Sequence, residues 1–195
     1  MIKDLIAKNR SYRRFYQDVP VSIEVLKDLI ELARLSPSAA NRQPLKYILS
    51  NKLETNLKIF SCLSWAGYLT DWPGPEEGER PSAYIIMLGD SRITNNYFCD
   101  YGIAAQSILL GAVEKGLGGC IFGSVNREKL REKLKIPSYY DVLQVIAIGK
   151  PKETVVIETA LNGEIKYWRD ENGVHHVPKR PLDELIVSLN DFSKG

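Results

Sequence analysis

The sequence predicts an α+β fold, and three features of its 195 residues carry that reading. Helix-like and strand-like segments follow one another without the strict alternation of a doubly wound sheet. The run AYIIMLG, residues 83–89, is apolar apart from its tyrosine hydroxyl, as a strand buried in the core must be. Near the C-terminus, aromatic and β-branched residues flank ENG, the pattern of a small hairpin.

Taken in order, residues 22–35 form an amphipathic pattern, with Ile23, Leu26, Leu29, Ile30 and Ala33 on one face and Glu24, Lys27, Asp28 and Glu31 on the other. Ser22 is the expected N-cap and Pro37 the stop. LKYILS, residues 45–50, predicts a strand, and 53–63 a helix. DWPGPEEGERP, residues 71–81, has three prolines and two glycines and must be a loop. From Asn95 to about Lys115 the pattern is helical and apolar nearly all round, which places that helix centrally or in an interface. Gly102, Ala104, Ala105, Gly111 and Ala112 would let another helix approach closely, from the same chain or from a partner. CIFGSV (120–125) and DVLQVIAIG (141–149) read as strands around a short helix that Asn126 could cap. Residues 165–177 predict the hairpin, from Ile165–Trp168 and Val174–Val177, and 181–190 a final helix opened by Pro181. The whole chain, 1–195, is expected to be a single domain.

The 26 basic against 24 acidic residues leave a net charge of +2, too balanced for a general nucleic-acid binder. Cys62, Cys99 and Cys120 are odd in number and far apart, and only two histidines are present. That argues against a disulfide framework or a zinc site and suits a reducing, cytoplasmic setting. MIKDLIAKNR carries charges inside its apolar stretch and is not expected to be a signal peptide. Tyr101 to Val113 is shorter than the roughly 20 residues of a membrane span, so no membrane partner is expected.

Chemistry concentrates at four places. NRSYRRF, residues 9–15, sets Arg10, Arg13 and Arg14 with Ser11 beyond a short helix; guanidinium forks suit a phosphate, although a solvated basic turn has the same composition. Lys179 and Arg180 precede a helix start, where an anion is favoured, or they are ordinary surface charges. GLGG follows a helix and precedes a strand, the reverse of a dinucleotide fingerprint. What Gly123 and Ser124 offer is exposed backbone, against which a flat ring could lie because Gly123 has no side chain. The fourth place is SPSAANRQP, residues 36–44, two prolines fencing small and amide side chains. His175 and His176 point to opposite faces of a predicted strand and, as exposed hairpin residues, need no role. No nucleophile elbow, HExxH or Ser-His-Asp set is present, so any catalysis is expected from a cofactor, with no catalytic side chain and no metal.

In their order along the chain, NRSYRRF, SPSAANRQP, GLGGCIFGSV, IAIGKP and KRPLDEL resemble the motifs of the nitroreductase family of FMN-dependent oxidoreductases. The resemblance implies a nitroreductase-like α+β fold, with a mixed, mostly antiparallel sheet flanked by helices, in an intertwined homodimer. It also implies FMN as cofactor, NADH or NADPH as electron donor, and a small-molecule acceptor such as a nitroaromatic or quinone. Arg10, Ser11, Arg13, Lys179 and Arg180 would hold the flavin phosphate. Pro37, Ser38, Ala39, Asn41 and Gln43 would line the ring and ribityl chain from the partner subunit, and Gly123 and Ser124 would face the ring. Two positions depart from the family pattern: Asn9 stands where many members have an arginine, and Leu45 where many have tryptophan. A reductive dehalogenase, a flavin-fragmenting enzyme and a non-catalytic flavin-binding module are the alternatives.

Overall fold

A computed structural model describes residues 1–188. Its frame is a five-stranded antiparallel sheet. Strand β3 (Ala83–Asp90) lies between β2 (Leu45–Ser50) and the long β5 (Tyr140–Pro151), which also pairs with β4 (Gly118–Phe122) and β1 (Phe15–Tyr16). All eight residues of β3 are buried, because helices cover both faces of the sheet. Ile85 and Met87, with Ile146 and Ile148 of β5, pack under α2 (Ile23–Arg34) and α4 (Asp100–Glu114). The alternate residues Tyr84, Ile86 and Leu88, with Val145 and Ala147, meet Ile59 of α3 (Leu53–Phe60) and Leu130 of α5 (Arg127–Leu134). Period-two alternation on a doubly covered strand therefore divides one aliphatic run between two cores.

The predicted caps form: Ser22 Oγ accepts from Val25 N at 3.2 Å, and Asn126 Oδ1 accepts from Lys129 N at 3.0 Å. The helix expected from Asn95 begins only at Asp100. Thr94 Oγ1 accepts from Asn96 N and Asn96 Oδ1 accepts from Phe98 N, local bonds that compete with helix, and Phe98 sits at φ 44°. Tyr97 pins this segment by donating to Asp141 Oδ2 at 2.7 Å. The small residues of α4 serve contact within the chain at Gly111, where an added Cβ would lie 2.2 Å from Leu32 Cδ1 of α2.

The hairpin forms over a shorter span than expected, β7 (Trp168–Arg169) pairing with β8 (His175–Lys179). A strand the pattern did not reveal, β6 (Val155–Thr159), joins the other edge of β8 in parallel, making a second, three-stranded sheet. The final helix is a single turn, α6 (Leu182–Leu185), with Pro181 at its cap, and Ile186 is already extended; residues 189–190 of the expected helix lie outside the described residues. The N-terminal helix α1 (Ile2–Lys8) delivers the chain to the arginine-rich segment.

Candidate functional site

The arginine-rich segment is sewn onto β4. Tyr12 N donates to Gly119 O at 3.0 Å, and Ser11 bridges Gly119. The close approach explains the last two glycines of GLGG: a Cβ on Gly118 would lie 2.4 Å from Tyr12, and one on Gly119 2.5 Å from the Ala147 carbonyl. On the other side Glu153, buried and ion-paired to Arg169 at 3.0 Å, accepts from the backbone N–H groups of both Arg13 and Arg14. The loop is thus fixed by its backbone, which leaves its side chains to be aimed.

They converge with the C-terminal motif. Arg10, Ser11, Arg13 and Lys179 line one cavity of about 300 Å³ that also touches Gln106, Tyr167 and His175. Three cations meet the hydroxyls of Ser11 and Tyr167 there, with no carboxylate among the lining residues. Arg10 donates from Nη2 to Ile6 O at 2.8 Å, and its buried Nε has no partner among the described residues. Arg13 stacks on Tyr167, its guanidinium carbon 4.6 Å from the ring centroid. Uncompensated positive charge of this kind fits a phosphate, and the donor set therefore suits a phosphate-bearing cofactor. Asn9, one of the two departures from the family pattern, also lines the cavity and donates to Gln106 Oε1 at 3.3 Å.

Two expected cations stand elsewhere. Arg180 is exposed, pairs with Glu184 at 3.0 Å and is not among the lining residues. Arg14 is held by Glu79 through two bonds of 2.5 Å, Lys152 adding a third contact to that carboxylate. The Arg14 hydrogen bond is the main cause holding the Glu79 carboxyl down to about 2. His175 corrects the expectation of an exposed histidine: it is 1 % exposed and its Nε2 lies 3.0 Å from Arg13 Nη1. Burial first, then the charges of Arg13, Arg169 and His176, push its pKa down to about 4. A signal for it was present, because His175, Val177 and Lys179 share one face of β8, and all three line the cavity. Glu153 and Tyr167 carried no comparable local signal.

The loop 36–44 is shaped by a different anchor. Asp100, buried at the start of α4, accepts from Ser38 Oγ at 2.6 Å and from Ala39 N at 3.0 Å, while Ser38 Oγ accepts from Gln43 N at 2.9 Å. Gln43 Nε2 in turn donates to Asn41 Oδ1 at 3.1 Å, bracing that side chain. Ala40, Asn41 and Gln43 all have φ near +50°, a conformation that costs L-residues about 1 kcal/mol or more and is kept where surroundings over-determine it. Pro37, Ser38 and Gln43 line a second cavity of about 490 Å³, walled by Leu45, Tyr47 and Ala104. Burial, with a smaller contribution from Asp100, pushes the Tyr47 hydroxyl up to about 12. Gly123 and Ser124 are exposed beyond the end of β4, and a Cβ on Gly123 would meet nothing within 4 Å.

An antiparallel sheet covered by helices on both faces, with a carboxylate-free cationic cavity beside β4, defines the class of architecture. Residues 6–62 and 78–150 match the sequence pattern of the Nitroreductase family, and the chain belongs to that family. It is 29 % identical over 148 residues, 72 % of this chain and 80 % of the other, to a putative NADH dehydrogenase/NAD(P)H nitroreductase of Archaeoglobus fulgidus. It is 27 % identical to an FMN reductase [NAD(P)H] of Bacillus subtilis, the match covering 84 % of this chain and 74 % of that one. Among solved structures, an FMN-dependent nitroreductase of Clostridium difficile superposes with a TM-score of 0.64 at 27 % identity, covering 84 % of this chain and 92 % of the other. Among the described residues no helix is long and apolar enough to cross a membrane, and no group of three His, Cys, Asp or Glu side chains could hold a metal ion.

Proposed function

We propose that this chain is an FMN-dependent oxidoreductase that takes reducing equivalents from NADH or NADPH and passes them to a nitroaromatic, quinone or similar small acceptor. The observation that carries the reading is the convergence of Arg10, Arg13 and Lys179, from opposite ends of the chain, on one cavity without a carboxylate. When bound, the flavin supplies the hydride chemistry. The chain's residues bind and orient it: the guanidinium groups and the ammonium neutralise the phosphate, and Ser11 adds a hydroxyl donor. The open backbone at Gly123 and Ser124 admits a flat ring and offers N–H groups at its edge. Family membership and the names of the Bacillus subtilis and Clostridium difficile relatives support the cofactor and the donor.

The working form is proposed to be a homodimer whose two sites each combine the arginine loop of one subunit with Pro37, Ser38, Ala39 and Asn41 of the other. Within one chain those two motifs line separate cavities. Ala104 lines one and Gln106 the other, two positions apart and therefore about 200° around α4. A ligand gripped at the arginine loop would meet an equivalent of the 36–44 loop only from a second copy. The visible spectrum of the purified protein tests the reading, followed by anaerobic addition of NADH or NADPH and then of a nitroaromatic or quinone. Flavin absorbance that bleaches with nicotinamide and returns with acceptor is expected; a colourless protein that takes up no FMN, or bound flavin that neither nicotinamide bleaches, would overturn it.

A further inference from the structure

We infer that His175 is a positioning residue for the anion cavity: its neutral imidazole accepts a hydrogen bond from Arg13 and so aims the free edge of that guanidinium at a phosphate. The inference rests on the reading of this cavity as the flavin-phosphate site. Arg13 Nη1 is held at both hydrogens, by the Ser11 carbonyl at 3.2 Å and by His175 Nε2 at 3.0 Å. Its Nη2 and Nε make no hydrogen bond among the described residues, which leaves three N–H donors, two of them side by side on the Nε–Nη2 edge of the planar fork. Tyr167 fixes the plane, with Arg13 4.6 Å and the His175 ring 5.2 Å from its centroid. Glu153 fixes the root of the side chain by accepting from Arg13 N, and Thr154 O fixes His175 by accepting from its backbone N–H at 2.9 Å.

Only one protonation state of the imidazole fits. An N–H on Nε2 would face the Nη1 N–H at 3.0 Å, two donors without an acceptor, so the proton belongs on Nδ1. Nδ1 is buried without a partner among the described residues, a cost the fold bears while Nε2 serves Arg13. Protonating both nitrogens would add a charge beside Arg13 and Arg169, with His176 adjacent; burial and these cations keep the ring neutral down to about pH 4. Aiming by a neutral acceptor leaves the positive charge of Arg13 intact for the ligand. A carboxylate in the same place would compete with the phosphate for it.

FMN and riboflavin affinities of the wild-type protein, His175→Leu and His175→Gln, read by flavin fluorescence, test the inference. His175→Leu is expected to weaken FMN about tenfold, the loss of roughly one hydrogen bond to a charged group, and to leave riboflavin within threefold. His175→Gln, which keeps an acceptor, should recover most of the FMN affinity. Equal losses for both flavins, or no loss for FMN, would overturn the positioning role. Nitrogen-15 spectra of the wild-type apoprotein at pH 7 give an answer that needs no variant to fold: the Nδ1–H tautomer is expected, and Nε2–H would refute the Arg13 bond. A wild-type protein with no preference for FMN over riboflavin would instead overturn the phosphate-site reading beneath the inference.

Discussion

The arginine loop at 9–14 and the small-residue loop at 36–44 are both short, irregular segments near α4, yet they are held in opposite ways. The first is pinned by its backbone, through Gly119 and Glu153, and of its three cations only Arg14 is spent on a carboxylate. The second is pinned by a side chain, Asp100, which consumes its hydroxyl and one backbone donor and keeps three residues at φ near +50°. A binding surface can thus be divided: one loop is a preformed charge trap, the other a rigid shape whose one charged residue is Arg42. Within a single chain they line two different cavities, reached from different faces of α4.

The largest effect should come from the helix that separates them. Gly111→Glu would drive a carboxylate into Leu29 and Leu32 of α2, combining overpacking with a buried unpaired charge, and is expected to cost about 4 kcal/mol or more. Urea unfolding should show both loops lost together. Asp100→Ala removes the anchor of the second loop only; two hydrogen bonds to a buried carboxylate vanish, and about 3 kcal/mol of stability should go with them. If the two loops serve one site across a dimer, this variant should also lose flavin although its arginine cavity is untouched. Flavin retained at full stoichiometry would separate the two regions for good.

Arg10→Ala should instead spare stability and weaken FMN by one to two decades, about 1.5 to 3 kcal/mol, with riboflavin unaffected. A smaller effect, about 1 kcal/mol, is expected from pH at the partly exposed Arg14–Glu79 pair. The Glu79 carboxyl is held near 2 in the folded protein against about 4.5 unfolded, so its contribution is complete above about 4.5 and is lost as pH falls toward 2. The unfolding midpoint of Glu79→Gln should be flatter than wild type in that window. Smallest of all is Arg180→Ala: an exposed i, i+4 pair contributes at most a few tenths of a kcal/mol, and FMN affinity should stay within about threefold.

Features that depend on neighbours a few residues away were readable before folding. The caps at Ser22 and Asn126, the buried run of β3, the turn-rich loop at 71–81 and the order of the five motifs were all legible, because each is a local preference or a linear pattern. Tertiary structure alone decided which charges are free. Arg14 and Arg13 are adjacent and chemically alike, yet one is consumed by Glu79, 65 residues away, while the other is aimed by His175, 162 residues away. Likewise Asp100 reads as a helix residue like any other until the chain brings Ser38 to it across 62 positions. A side chain's chemistry is written in its residue type, but its availability is set by the partner that folding puts within 3 Å, and that partner has no fixed distance along the chain.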